Sequence, residues 1–514
     1  MVDRWSEAGR ATADVVPLLR FRGAGLRTRS RKAAAVAFGV VVVLTVLAGT
    51  VPAHLPGAAG SDGASRILAS EVLLLLPSAY LSVLVISIVS AVASGGGREL
   101  VPRDQAVAFP VSATTDHLGT LLMAPLNITW LLQAWSVLGV TAFALGPERL
   151  YAVQVPVLLW LLAATALAQV VAWAAEWVRR GPHGSWVLRI LTVALTGAAA
   201  ALVATDRLVP LLNRSPTRHI ALGALHGSRG AWALWLAVVG GLVVVGVVAV
   251  VAGAVMARVA ARRPARDELR VESSLHSPRP NPAADLTALL RTDRAGIWRS
   301  VPLRRGIVVL AALPGLVGLA GGLDWERLVI LPALVASGGA LLFGVNSWCL
   351  DGRGGLWRDS LPVSPKLAFA SRALVLAEVL LLPSLLALVL AGLRAGVPSL
   401  PQLVAVACAV VVVSVQVVGT ALRWSVRRPF AADMRSARAT PAPPLAMMGY
   451  SARLALTTTV TAMLFTVTAG LADWRWSLLV AVPFLLYSSG KLVLTSREWA
   501  DPRARARVVA TVAS

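Results

Sequence analysis

Apolar residues in this chain gather into long unbroken runs, and strict alternation of the kind a barrel strand needs is absent. A helix crosses a bilayer core with about 20 apolar residues, and each run reaches roughly that length. The pattern predicts twelve spanning helices. Six lie near Ala33–Val51, Ile67–Ala93, Leu121–Leu145, Tyr151–Ala175, Val187–Thr205 and Ala231–Ala257. Six more lie near Gly306–Gly322, Leu328–Cys349, Leu367–Ala391, Leu400–Leu422, Ala452–Leu471 and Ser477–Leu494. Pro77 gives the second run a site for a kink.

Polar segments between the runs repeat. Asp14, a Leu-Leu-Arg triplet and Gly25 recur at one spacing as Asp285, Leu-Leu-Arg and Gly296. The later copy sets Leu286, Leu289, Leu290, Ile297 and Trp298 in one helical stripe, with Arg291 and Arg294 off it. This predicts an interfacial helix, capped by the aspartate, before each half enters the membrane. After the second span, Arg98, Arg103–Asp104 and Phe109-Pro110-Val111-Ser112 recur as Arg353, Arg358–Asp359 and Leu361-Pro362-Val363-Ser364. After the fourth, Val178-Arg179-Arg180 recurs as Val426-Arg427-Arg428.

The expected fold is an all-α polytopic membrane protein of two parallel six-helix repeats. Residues 1–257 form the first half, the Pro-rich segment 258–284 a cytoplasmic linker, and residues 285–514 the second half.

Composition agrees, with 57% hydrophobic and 14% charged residues. The net charge of +23 would suggest nucleic acid in a soluble protein. Here most of the 48 Lys and Arg fall in segments on one side, which orients the chain with both termini in the cytoplasm. Membrane lipids are therefore the expected surroundings, and nucleic acid is not an expected partner. Cys349 and Cys408 both sit in or beside apolar runs, which argues against a disulfide framework. His219 and His226 read as loop residues rather than metal ligands. The long outer segment 206–230 reads equally as a re-entrant or interfacial helix and as a solvated loop.

Two readings of Pro-Val-Ser stand side by side. Ser112 and Ser364 can cap the span that follows, and Pro110 and Pro362 can end the short helix before it. Alternatively, the loops dock a soluble partner, with Arg103, Asp104, Arg358 and Asp359 as charges and Phe109 and Leu361 as apolar anchors. Inside the spans, Glu378 and Asn127 are candidates to line a substrate path. The bland alternatives for Glu378 are packing glue or a buried protonated acid. Arg372, six residues earlier, lies off its helical face.

The run Gly352-Arg353-Gly354-Gly355-Leu356-Trp357-Arg358-Asp359-Ser360-Leu361-Pro362-Val363-Ser364 resembles the phrase found in type-2 membrane subunits of ATP-binding-cassette exporters. The six-span layout and the preceding helix also resemble that family. The first half departs from the phrase: its loop is three residues longer and lacks Gly-Gly. The resemblance implies a permease of two fused six-span units. Its loops at Arg98–Ser112 and Arg353–Ser364 would carry coupling helices. They would meet a separate cytoplasmic ATPase, two copies per chain, and that partner would hold ATP and magnesium.

A phosphate loop needs a Gly-Lys-Ser/Thr ending. The lysines are Lys32, Lys366 and Lys491, and none fits. No cofactor is therefore expected in this chain, and it is expected not to be an enzyme. The rival expectation is a twelve-span secondary transporter driven by an ion gradient. That class usually carries a short basic loop between spans two and three, which the sequence lacks.

Overall fold

A computed structural model describes residues 28–59, 66–93, 111–126, 128–263, 284–352, 354–431 and 444–513, with a few isolated positions besides. These residues are all-α, with no strand among them. The chain divides into two compact units, Met1–Ser273 and Ser274–Ser514.

The first unit holds α1 (Thr28–Thr50), α2 (Arg66–Ala93), α3 (Ala113–Met123), α4 (Ile128–Leu145) and α5 (Leu150–Arg179). It continues with α6 (Gly184–Ala204), α7 (Leu208–Asn213), α8 (Arg218–Arg229) and α9 (Trp232–Ala261). Helix α5 is central and packs against α2, α4, α8 and α9. Its inward face is rich in alanine, with Ala152, Ala163, Ala164, Ala168 and Ala172 all buried. Small side chains let backbones approach closely where lipid supplies no hydrophobic drive. Indole and hydroxyl bonds lock the packing. Trp160 Nε1 donates to the Tyr80 carbonyl at 2.9 Å, and Trp130 Nε1 donates to Thr165 Oγ1 at 2.9 Å.

The second unit holds α10 (Asp285–Arg299), α11 (Val301–Ala320), α12 (Trp325–Leu328) and α13 (Leu331–Gly339), which runs into a π-helical turn at Ala340–Gly344. Then come α14 (Gly354–Ser360), α15 (Pro365–Ala395), α16 (Leu400–Arg427), α17 (Pro444–Ala469), α18 (Arg475–Ala500) and α19 (Pro502–Ala513). Here α16 is central, against α13, α15, α17 and α18. Phe343, Leu376, Val413, Val417 and Tyr450 form the main core.

Ten helices among the described residues are long and apolar enough to cross a membrane, which marks a multi-pass membrane protein. The sequence predicts twelve. The remaining two runs fall on shorter apolar helices, Phe38–His54 and Trp130–Leu145. The expected span Leu121–Leu145 is broken because Pro125 sits in a 3-10 turn, Ala124–Leu126, between α3 and α4.

The segment 206–230 is helical rather than a plain loop. Ile220, Ala221 and Ala224 of α8 are buried against the unit. Thr217 Oγ1 donates to the Pro77 carbonyl at 2.7 Å, which ties this segment to α2 at its proline.

Candidate functional site

The loop after the Ala340–Gly344 turn carries the densest charge cluster among the described residues. Gly352 adopts φ +47, a left-handed conformation that turns the chain into α14. Helix α14 ends at Ser360, just before Pro362, as the sequence predicts. Ser364 stands at the N-cap of α15 with Pro365 next, yet its hydroxyl makes no capping bond. The cap is real in the first unit, where Ser112 Oγ accepts from the Thr115 N–H at 3.0 Å.

Helix α10 exists, but its start differs from expectation. Ala284 occupies the N-cap, and Asp285 is the first helical residue. A carboxylate there still complements the helix dipole. Its inward stripe contains Leu289, Asp293 and Ile297, spaced four apart and all buried. Trp298, read as part of that stripe, is exposed.

Asp293 is the hub of an ionic network. Arg358 of α14 meets it with both Nη atoms, at 2.6 Å and 3.1 Å. Ser371 Oγ donates to it at 2.6 Å, and Arg372 Nη2 lies 3.0 Å away. Arg372 also donates to Asp351 at 2.7 Å and to the Ser347 carbonyl at 2.8 Å. Its side chain is only 1% exposed. Burial pushes the Asp293 carboxyl up, but Arg372 and Arg358 outweigh burial and hold it below the usual carboxylate range. Two acids and two arginines thus join α10, the 345–352 turn, α14 and α15. Removing one member leaves an uncompensated buried charge, which costs about 3–5 kcal/mol.

An aromatic pair backs the network. Trp348 and Trp499 stack at 3.9 Å between centroids, and the Arg372 guanidinium lies 5.1 Å from the Trp348 ring. Helix α19 closes the far side through buried Val508 and Val512, and Arg505 donates to Asp359. Between these parts lies a cleft lined by Leu289, Trp348, Arg358, Leu361, Trp499 and Val512, among others.

The predicted residues scatter across this geometry. Arg358 points inward to Asp293, Asp359 is held by Arg505, and Leu361 lines the cleft. The exposed apolar residues of α14 are Leu356 and Trp357, at 56% and 68%. Glu378 is paired from another helix rather than by Arg372, in keeping with their spacing. Arg294 Nε donates to it at 2.8 Å from α10. Arg98, Arg103, Asp104, Phe109, Pro110, Asn127 and Arg353 lie outside the described residues.

Sequence reasoning missed Asp293 and Trp357. The signal for Asp293 was present, as an acid four residues from both Leu289 and Ile297 on an apolar stripe. Cys349 and Cys408 are both free thiols. Among the described residues no three His, Cys, Asp or Glu side chains group to hold a metal. Compared with known proteins, the chain matches no family model, no curated protein and no solved structure.

Proposed function

We propose that this chain is the permease of an ATP-driven exporter in the cytoplasmic membrane, with both termini inside. It moves a lipophilic or amphipathic solute, in keeping with its largely aliphatic helices. Two six-span repeats make one translocation unit, served by two copies of a separate ATPase that hold ATP and magnesium. The observation that carries this reading is α14. It is a seven-residue helix between two apolar helices, pinned from within by Arg358 and presenting Leu356 and Trp357 outward. A rigid element with an aromatic anchor is what docking to a soluble partner requires. The anchor role first given to Leu361 passes to Trp357, because Leu361 faces the cleft. Arg358 and Asp359 act by holding the element in place.

The test is co-purification with an ATP-binding-cassette ATPase expressed from the neighbouring genes. Trp357→Asp should leave thermal stability within about 0.5 kcal/mol, since the residue is exposed. It should weaken ATPase recovery by about 2 kcal/mol or more, the scale of an interface hot spot. Full recovery with Trp357→Asp removes the docking role. Transport that persists without any ATPase and collapses with an uncoupler would favour the ion-driven alternative.

A further inference from the structure

At one end of the second unit, cations gather on three packed helices with little acid to balance them. Helix α16 brings Arg423 and Arg427, α17 brings Arg453 and α18 brings Lys491. All three arginines stand close enough to repel the Lys491 ammonium. Arg427 is paired, with Glu498 Oε2 3.1 Å from its Nε. Lys491 Nζ donates to Thr420 Oγ1 at 3.0 Å, a neutral partner that leaves its charge in place. Among the described residues no carboxylate pairs with Arg423, Arg453 or Lys491. Like charges held together raise the energy of the fold unless an anion lies among them.

Their level along the helices tells which anion. Lys491 lies nine residues before the end of α18 at Ala500, and Arg453 lies nine residues after the start of α17 at Pro444. At 1.5 Å per residue both sit about 13 Å in from those ends. Arg497 and Glu498 follow on α18, so the helix leaves the apolar layer within two turns of Lys491. Arg453 is exposed on the face of α17 that carries Leu456 and Val460. Half-buried Lys491 lies on the face of α18 that carries exposed Tyr487 and Leu494. Long basic side chains reach from this depth to the headgroup layer. A soluble protein cannot cover these apolar residues inside the bilayer. A phospholipid presents its phosphate at that layer and lays its chains beside them.

We propose that Arg423, Arg453 and Lys491, with Arg427 at the rim, bind the phosphate of an anionic phospholipid from the surrounding bilayer. Arginine meets phosphate through paired N–H donors, and the lysine adds a point charge. A zwitterionic lipid brings its own cation and leaves the excess uncorrected. The site rests on α16–α18 being membrane helices and not on the transport reading.

The full chain is purified in neutral detergent, and bound lipid is titrated and counted by native mass spectrometry. The probes are phosphatidylglycerol and phosphatidylcholine of equal chain length. The wild type should bind the first about tenfold more tightly or better. One basic residue beside an anionic headgroup is worth roughly fivefold in binding, so Arg423→Gln/Arg453→Gln should lose about twentyfold for phosphatidylglycerol and nothing for phosphatidylcholine. Neither arginine has an ion-pair partner to abandon, so this variant should unfold at the wild-type temperature without lipid. Lys491→Met keeps the length of the stem and should lose roughly fivefold on its own. Arg475→Gln removes an equal charge from the exposed start of α18, at its far end, and should change neither affinity. Equal affinity of the wild type for the two lipids would overturn the proposal. So would a double variant that keeps its phosphatidylglycerol, or an Arg475→Gln that loses as much as Lys491→Met, since that marks attraction to net charge rather than a site. Glycerol phosphate carries the headgroup without chains and should not displace the lipid. Displacement would mark a free-anion site and overturn the lipid assignment.

Discussion

Among the described residues, the base of α3 in the first unit is held by a buried imidazole, whereas the base of α15 in the second is held by four charged side chains. In the first unit His117 is fully buried. Its Nδ1 accepts from Trp173 Nε1 at 3.2 Å, and its Nε2 lies 3.2 Å from the Val250 carbonyl, so α3, α5 and α9 meet on one imidazole. In the second unit Asp293, Asp351, Arg358 and Arg372 do the same for α10, α14 and α15. Both bases follow a Pro-Val-Ser phrase. The surface wording repeats, while among the described residues the groups that meet at the two helix bases differ. A buried ring depends on close backbone approach, and an ionic cluster depends on every partner being present.

The largest effect should come from breaking the ionic base. Arg372→Met leaves Asp293 and Asp351 with one arginine between them. We expect a loss of about 3–5 kcal/mol, measured by unfolding of the purified chain in detergent. Replacing Asp293 by Leu in the same chain should recover part of it, because an apolar substitute for a pair is far better tolerated than half a pair. A cost under about 1 kcal/mol for Arg372→Met would show that the cluster is hydrated and weak.

The imidazole base should break by crowding instead. A Cβ on Gly253 would run into His117 Cε1, inside any real contact distance. Gly253→Ala should therefore cost about 1–3 kcal/mol, the range for overpacking. Adding His117→Ala should relieve the clash, so the double variant should be less than the sum of its parts. Simple additivity would mean that the ring already swings clear.

Acid tests the ionic base directly. The Asp293 carboxyl titrates below its ordinary value of 3.8, so the unfolded chain binds its proton first. Its stabilising contribution is complete above about pH 4 and fades as pH falls through the lower folded value. Asp293→Asn should flatten that acid limb of the stability curve and leave the neutral plateau flat. An unchanged acid limb would place the sensitivity elsewhere, with Glu176 and its partners Arg179 and Arg180 the first alternative.

Much of this architecture is legible in hydropathy, and the misses have local causes. Apolar runs place the long helices because length and composition alone decide what can span. The turn at Pro125 was not readable from proline alone, because Pro77, Pro156, Pro314, Pro383 and Pro483 all sit inside unbroken helices. The charges were harder. Helical spacing correctly separates Arg372 from Glu378, but it cannot name partners more than twenty residues away. Arg294 reaches Glu378 across 84 residues, and Arg358 reaches Asp293 across 65. Arg294 was legible only as a polar residue off the apolar stripe. The repeat pointed to Arg358, and Asp293, standing on that stripe, is a missed residue that the pattern also marked.

The smallest effect concerns the contact between α14 and α19. Asp359 and Arg505 form an ion pair, with side chains 31% and 18% exposed. Partly exposed pairs gain little, because water screens the attraction and ordering two side chains costs entropy. Beside them Val508 and Val512 are buried. Burying a valine side chain is worth about 1.5–3 kcal/mol, so the apolar contact outweighs the ionic one. A double-mutant cycle with Asp359→Ala and Arg505→Ala should give a coupling under about 1 kcal/mol that shrinks with added salt. A salt-independent coupling above about 2 kcal/mol would overturn this ranking. It would place Asp359 in the same dry ionic cluster as Asp293 and make α19 an electrostatic clasp on α14 rather than an apolar one.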